Sequence, residues 1–478
     1  MPALRRSHPS PTVVLAVLAM GAMSYALLQS LVVPALPAIQ QDLHTSATGV
    51  AWVMTAYLLS ASVATPIAGR LGDMFGKRRT LIVVLSMLAL GTLVSALATS
   101  ITVLIVGRAV QGLGGAVFPL AYGVIRDEFP PGRVAMGIAL MSAILGIGGG
   151  AGIVLAGPIL DGLGYHWLFW IPLVPILAAI AATALVIRES PVRVPGRINI
   201  VGGLLLGGWL VCLLLAFSYA ADWGWGSARF LGLLALAAIL LAAWVRQESR
   251  AREPLVDMRM MQLRGVWTTN TAALLTGFGM LGAFVLVPQL VELPESTGFG
   301  FGGSVTEAGL FLLPATLAML IVSPLAARLA ERTGSRLNLI VGMALMAVAF
   351  VILGLAHSSG WEILLAMTLV GTGIGFAFAA LANLVVEAVP PGQTGVATGM
   401  NQVMRSIGSS LGGQITASVI AAQVAVGGLP LESGFTLAFL ICAGAMTLGV
   451  SAGLLVPGRA VAREQAEAGA IAVVADPA

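Results

Sequence analysis

The chain has 478 residues, of which 58% are hydrophobic and only 9% are charged. Globular domains carry roughly 25% charged residues, so this composition excludes an ordinary soluble protein. The 24 Lys and Arg residues against 20 Asp and Glu residues leave a net charge of +4, and because these charges lie in short gaps between apolar runs, they form no stripe for nucleic acid. The two cysteines lie inside apolar runs and no Cys or His cluster has metal-ligand spacing, which excludes a disulfide framework and a metal centre.

Fourteen apolar runs are long enough to cross the roughly 30 Å hydrocarbon core of a bilayer as helices. They cover about residues 12–36, 49–69, 79–98, 101–123, 135–158, 167–187, 199–219, 228–245, 265–290, 305–327, 337–356, 362–388, 396–424 and 434–457. The runs are continuous, which favours helices over the alternating strands of a membrane barrel. The first run is too long for a cleaved signal peptide, so we expect it to be retained. The predicted fold is therefore an all-α integral membrane bundle.

Basic residues predict how this bundle is oriented. With the N-terminus inside, nearly all loop Lys and Arg residues fall on the cytoplasmic side, whereas the opposite loops carry acids and only one basic residue, Arg229. The positive-inside rule then places both termini in the cytosol. We expect a multi-pass protein of a plasma membrane, that is, a bacterial inner membrane.

An internal repeat divides the chain. The loop segment 69–78 recurs 258 residues later as segment 327–336, and the segment 129–133 recurs 260 residues later as segment 389–393. Equivalent loops are eight spans apart, so two six-helix halves must be separated by two inserted helices, spans seven and eight. Parallel six-helix repeats about an axis along the membrane normal are typical of transporters of the major facilitator type, whose substrate cavity lies between the halves.

This arrangement predicts six segments along the chain. They are a cytoplasmic N-terminal tail (1–11), an N-terminal six-helix bundle (12–190), two extra transmembrane helices (191–250), a cytoplasmic linker (251–264), a C-terminal six-helix bundle (265–457) and a cytoplasmic tail (458–478). The linker mixes apolar and charged positions at helical spacing. Either a helix on the membrane surface or a plain loop fits this pattern.

At these residues the chain resembles the major facilitator superfamily, and within it the fourteen-helix drug:proton antiporters. The loop after span two is similar to the signature G-x-L-x-D-x-x-G-[RK]-[RK], with Gly69, Asp73 and Gly76 in their places, followed by Lys77 and Arg78. The glycines allow close helix approach and a tight turn, and the basic residues suit anionic head groups.

Asp73 has two interpretations, a structural latch or direct contact with substrate. The resemblance implies a latch between the halves, and an anion is favoured at a helix N-terminus. We expect Asp73 to lie near the start of span thirteen, around residues 392–397.

In span four, Arg108 and Gln111 belong to a segment similar to the antiporter motif R-x-x-Q-G-x-G. An Arg inside a span costs at least about 2.5 kcal/mol and needs a partner. The resemblance implies that Arg108 takes part in proton movement through a nearby carboxylate. The alternative is a structural Arg that donates to helix-end carbonyls.

Span five carries a glycine-rich segment that resembles the exporters' motif G-x-x-x-G-P-x-x-G-G. Gly148 and Gly152 present a flat face for close helix contact. In one register the motif's Pro is replaced by Ile153, and in the other the motif uses Gly157 and Pro158. This motif marks exporters. Because the chain departs from it, an uptake or exchange carrier on the same fold stays an alternative.

Polar residues within spans are candidates to line the cavity. They are Gln29, Tyr57, Gln111, Asn270, Gln289, Asn383, Asn401 and Arg405. Interhelical hydrogen bonding is the alternative for about half of them. In the first span, Leu28 stands where the related antiporters carry an acid, so a neutral or anionic substrate fits better than a cation.

The predicted function is therefore proton-coupled efflux of a hydrophobic or amphipathic drug or metabolite by alternating access. We expect no cofactor other than the proton gradient, because no nucleotide-binding loop is present. We expect a small-molecule substrate, protons and lipid as partners, no nucleic acid, and no enzymatic activity, while the oligomeric state stays open. A polytopic enzyme or receptor is disfavoured, because the chain offers no nucleophile and base pair.

Overall fold

A computed structural model of the chain describes residues 10–191, 199–424 and 429–458. The predicted tails lie almost entirely outside these residues, and the six predicted segment limits stay predictions. Fourteen long helices occur in the described part, in agreement with the predicted all-α fold. They are α1 (Pro11–Leu31), α2 (Ala47–Phe75), α3 (Lys77–Ala96), α4 (Ile101–Glu128), α5 (Pro131–Leu163), α6 (Trp167–Val186), α7 (Ile200–Ser218), α8 (Ala228–Arg250), α9 (Arg264–Glu292), α10 (Val305–Thr333), α11 (Ser335–Leu355), α12 (Gly360–Ala388), α13 (Thr394–Ala422) and α14 (Glu432–Leu455).

Thirteen of these helices are apolar enough to cross a membrane. The remaining one, α13, is equally long but carries Asn401, Gln402 and Arg405.

Helix starts follow from the local sequence. Ser46 accepts a hydrogen bond from the amide of Gly49, and Ser304 forms a reciprocal capping box with Glu307, which satisfies amides that the helix itself leaves unpaired.

The repeat seen in the sequence is also a structural repeat. Gly76 ends α2 with a φ of +110°, and Gly334 ends α10 with a φ of +87°. Only glycine adopts this left-handed region readily, so both halves turn sharply at the same place. We call this end of the bundle, where α2 turns into α3 and α10 into α11, the basic end.

Each half has its own apolar core. One large cluster is built mainly from α1–α6 and includes Tyr25, Leu28 and Phe118. A second is built mainly from α9–α14 and includes Phe350 and Phe435. The halves meet mainly along α2 with α13 and α5 with α10, and further contacts join α5 with α12 and α4 with α13.

The inserted helices α7 and α8 pack on each other, and the rings of Trp209 and Trp244 lie 6.0 Å apart between their centroids. Along its other side α7 contacts α2, where Gly207 approaches Val63, and it also contacts α13. The inserted pair therefore covers the outside of the α2 and α13 contact.

Two segments differ from the prediction. The first predicted span is shorter than expected, because the chain turns over residues 32–35 and forms a separate short helix, Leu36–Asp42. In the linker only Met258–Gln262 is helical, and Leu255, Val256 and Met260 are buried against the protein. The sequence left a surface helix and a plain loop open; the structure has one short helix, and the apolar side chains of the linker pack in a cluster with α7 and α13.

The linker is tied to its neighbours by two carboxylates. Glu248 at the end of α8 is buried and accepts hydrogen bonds from the Val256 amide (3.0 Å) and from Asn199 Nδ2 (3.1 Å). Asp257 accepts a hydrogen bond of 3.4 Å from Gln393, next to the start of α13. The insert is thus connected to the basic end of the C-terminal half.

Candidate functional site

At the basic end, a buried carboxylate joins the two halves. Asp73 is only 1% exposed, and its carboxylate accepts hydrogen bonds from the amides of Gly395 (3.0 Å) and Val396 (3.2 Å). These amides belong to the first turn of α13, where the helix has no acceptors of its own and its dipole favours an anion. Asp73 therefore lies where the sequence analysis expected it.

A second contact between the halves lies beside it. Arg126 of α4 donates to Thr394 Oγ1 (2.6 Å) and to the carbonyl oxygen of Val389 (2.9 Å). The sequence analysis did not single out Arg126. Together with Asp73, it ties the N-terminal half to the loop before α13, and we call these two residues and their partners the latch.

The basic residues of the signature loop do not all reach lipid head groups. Lys77 is 1% exposed and forms a 2.6 Å ion pair with Asp127. Glu189 accepts hydrogen bonds from the amides of Arg78 (3.2 Å) and Arg79 (3.3 Å), at the start of α3. The expectation that Lys77 meets head groups is wrong, because its ammonium group forms an ion pair with the buried carboxylate of Asp127.

Arg108 is completely buried within the N-terminal half. It donates to the carbonyl oxygens of Val53 (3.2 Å) and Leu28 (3.2 Å) and to Gln111 Oε1 (2.9 Å). Its guanidinium also lies 4.2 Å from the centre of the Tyr57 ring. Among the described residues no carboxylate bonds to it, so this geometry favours the structural interpretation over a direct link with an acid.

From Tyr57 a series of aromatic rings leads towards the other half. Tyr25 lies 5.9 Å from Tyr57 and 6.1 Å from Phe118, and Phe118 lies 6.3 Å from Tyr122, between ring centroids. The Tyr122 hydroxyl is hydrogen bonded to Ser142 (3.0 Å). Of these residues the sequence analysis named only Tyr57.

Opposite this series, α13 presents Arg405. Its guanidinium lies 4.4 Å from the centre of the Phe378 ring of α12 and is hydrogen bonded to Gln402. α13 packs against the part of α4 that carries Tyr122. We call Arg405, Phe378, Tyr25 and Tyr122 the central site, because they are buried side chains of the two halves close to this contact.

Several other predicted cavity residues are occupied in helix contacts. Asn401 donates to Asn270 Oδ1 (3.0 Å), and Asn383 donates to the Ala135 carbonyl oxygen (3.4 Å) in the other half. Gln111 donates to Thr92 (2.9 Å). Gln29 is half-buried and Gln289 is exposed.

The glycines of span five let α5 approach two neighbours. A methyl group on Gly148 would lie 2.4 Å from Ala26, and one on Gly152 would lie 2.0 Å from Ser30 Oγ, both on α1. A methyl group on Gly150 would lie 1.8 Å from Thr316 Oγ1, on α10. Gly157, beside Pro158, has no such close neighbour, so the register with Gly148 and Gly152 describes the packing.

The sequence model of the Major Facilitator Superfamily matches residues 18–413. The chain belongs to this superfamily. It is a multi-pass membrane transporter and not an enzyme.

Two curated relatives of this superfamily member are named as exporters or drug transporters. The tetracenomycin C resistance and export protein of Streptomyces glaucescens is 33% identical, over 88% of this chain and 77% of the relative. The multidrug transporter protein MdtP of Bacillus subtilis is 30% identical, over 81% of this chain and 71% of the relative.

Solved structures agree with the fold. The human organic anion transporter MFSD10 aligns with a TM-score of 0.68 and 16% identity, over 93% of this chain and all of that chain. The proton:xylose symporter XylE aligns with a TM-score of 0.64 and 14% identity, over 92% of this chain and 94% of that chain. At these identities the likeness shows the fold alone.

In transporters built from such repeats, one half rocks against the other around a site near the middle of the bilayer. The central site lies between the two halves of this superfamily member, whereas the latch fixes their basic ends together.

Proposed function

We propose that this transporter exports hydrophobic or amphipathic small molecules by alternating access, driven by the proton gradient. The names of the Streptomyces and Bacillus relatives support export of drug-like molecules. The observation that carries the proposal is the arrangement of the central site. Arg405 is buried on α13, which packs against α4, and the rings of Tyr25 and Tyr122 are buried in the N-terminal half, which is a suitable setting for an aromatic amphiphile.

The charge of the central site determines the preferred substrates. The guanidinium of Arg405 is a buried cation whose direct partners are Gln402 and the Phe378 ring, and both are neutral. A cationic substrate placed beside it would be repelled in a setting of low dielectric constant. We therefore expect neutral and anionic amphiphiles to be carried in preference to cations.

Asp73 is our candidate for the proton carrier. In the latched state its charge is stabilised by two amides at the start of α13. When α2 separates from α13, these donors leave the carboxylate, and a proton can then neutralise it. Protonation would in turn prevent the latch from forming again until the proton is released, which couples the conformation to the gradient.

We also propose that the basic end faces the cytosol of a bacterium and that both termini lie there. The distribution of Lys and Arg between alternate loops supports this orientation. The latch would then close the cytoplasmic side, so that the structure represents a state whose central site can be reached only from outside.

Transport in membrane vesicles tests this function. Everted vesicles that contain the protein should accumulate a neutral or anionic amphiphile when their interior is acidified, and an uncoupler should abolish the accumulation. Vesicles with the Asp73→Asn protein provide the matched control. Accumulation in right-side-out vesicles instead would support an uptake carrier, and accumulation that survives the uncoupler would contradict proton coupling.

A further inference from the structure

A cavity of about 330 Å³ lies at the basic end of the C-terminal half. Neither the latch nor the central site contributes to it. It is bordered by the turn between α10 and α11, by the end of α12 and by the residues that follow α14. Its lining includes Arg332, Gly334, Ser335, Arg336, Glu387 and Gly458.

The repeat shows what occupies the same place in the N-terminal half. Ser335 corresponds to Lys77, and Glu387 corresponds to Asp127. Gly458 lies two residues beyond the C-cap of α14, just as Glu189 lies two residues beyond the C-cap of α6.

In the N-terminal half these positions are filled. Lys77 pairs with Asp127, and the Glu189 carboxylate accepts hydrogen bonds from the first amides of α3. In the C-terminal half the lysine has become a serine and the capping glutamate has become a glycine. A cavity lies where the N-terminal half places its own carboxylate.

The groups that line the cavity favour the binding of an anion. α11 begins here, its N-cap Gly334 has no side chain to offer, and the first amides of a helix lack acceptors within it. Arg332 and Arg336 outweigh the single acid on the lining, Glu387. Independently of the helix end, the Ser335 hydroxyl is buried, with 1% of the residue exposed, and has no hydrogen bond partner among the described residues.

We propose that this cavity binds a phosphate group. Phosphate offers several acceptor oxygens, and the start of a helix flanked by arginines is a suitable site for it. Exposed apolar side chains lie close to the cavity, because Leu337 follows Arg336 in the chain and the carbonyl oxygen of Leu454 accepts a hydrogen bond from Arg336; the two leucines are 42% and 54% exposed. The phosphate can therefore come from the head group of an anionic phospholipid or from free phosphate.

Gly458 provides a sharp test, because a β-carbon there would meet no atom of the described residues within 4 Å. Gly458→Glu should supply the missing carboxylate from the chain itself, whereas Gly458→Gln has the same size without the charge. We would measure retention of phosphatidylglycerol on the purified full-length protein by native mass spectrometry. Gly458→Glu should lower the retained phosphatidylglycerol about fivefold relative to Gly458→Gln, and Ser335→Ala should lower it about twofold relative to wild type.

Arg259→Gln is the control for general loss of charge, because Arg259 is exposed on the linker and does not line the cavity. It should retain phosphatidylglycerol as the wild type does. Inorganic phosphate, added to the delipidated proteins, distinguishes the two sources. If it raises the melting temperature of Gly458→Gln but not of Gly458→Glu, while lipid retention is equal, the site takes free phosphate. Equal behaviour of both variants in both measurements would overturn the proposal.

Discussion

Gly69 on α2 and Gly395 on α13 touch through their backbones. A methyl group in place of a hydrogen on Gly69 would lie 2.4 Å from the carbonyl oxygen of Gly395. This approach brings the Asp73 carboxylate, one turn further along α2, to the amides at the start of α13. The latch therefore depends on the absence of side chains as much as on the presence of a charge.

Gly69→Ala should weaken the latch without touching Asp73, because the added methyl group must push two backbones apart. We expect transport in everted vesicles to fall about tenfold, with normal insertion. Gly149→Ala is the matched control, since a methyl group at Gly149 meets no atom within 4 Å. Equal transport rates in the two variants would contradict the role given to the Gly69 contact.

Asp73→Asn should also open the basic end. A charged hydrogen bond contributes about 1.5–3 kcal/mol, so its loss shifts the equilibrium between the latched and open states by about tenfold or more. Labelling of a cysteine introduced at Gly132, in a variant without Cys212 and Cys442, should become faster in Asp73→Asn. Glu295→Gln removes an exposed acid and should leave the labelling rate unchanged, and a wild-type rate in Asp73→Asn would refute the latch.

Arg405→Gln should change the charge preference of transport. Removing the guanidinium takes away the attraction for an anion and the repulsion of a cation. We expect transport of an anionic amphiphile to fall about tenfold relative to a neutral one, and transport of an ethidium-like cation to rise. Competition assays with these three substrates measure the effect, and an unchanged order of preference would place the substrate away from Arg405.

Arg108→Gln should act on stability. The substitution leaves the carbonyl oxygens of Val53 and Leu28 without their buried donor, which costs about 2–4 kcal/mol for the pair. We expect the melting temperature in detergent to fall clearly more than in Arg405→Gln, whose guanidinium bonds to the Gln402 side chain. Equal melting temperatures, combined with loss of the pH dependence of transport, would instead favour a role of Arg108 in proton movement.

Cross-linking tests the position of the inserted helices. Cysteines at Gly207 and Val63 should form a disulfide readily, because a β-carbon at Gly207 lies 3.2 Å from the Val63 side chain. Cys212 paired with a cysteine at Arg405 or Gln111 should form none, since α7 lies outside the two halves. An efficient link to either position would require a different architecture.

The sequence was informative where a local pattern has a direct structural meaning. Apolar runs gave the helices, and the repeated glycine loop gave the equivalence of Gly76 and Gly334. The position of Asp73 near residues 392–397 followed from the family resemblance, and the structure places it at Gly395 and Val396. Its role as a latch stays a prediction.

The central site was largely missed, for a physical reason. Tyr25, Tyr122 and Phe378 stand in apolar runs, where a large apolar side chain is expected in any case, so nothing in the local sequence distinguishes a ring of the central site from a ring of the core. Polarity gave the opposite error. Gln111 and Asn383 were predicted to line the cavity because they are polar residues within spans, but they form hydrogen bonds between helices. Lys77 was misplaced because its partner, Asp127, is 50 residues away in the chain.

The inserted helix α7 lies over the junction of α2 and α13, where Trp209 and Leu210 share a cluster with Met400 and Ile407. Among the described residues no inserted helix lies over the opposite junction, between α5 and α10, and Ile321 on α10 is 63% exposed. We therefore expect a hydrophobic molecule dissolved in the bilayer to enter between the halves, when they move apart, from the α5 and α10 side and not from the side that α7 covers. The transporter would then have two different sides in the plane of the membrane.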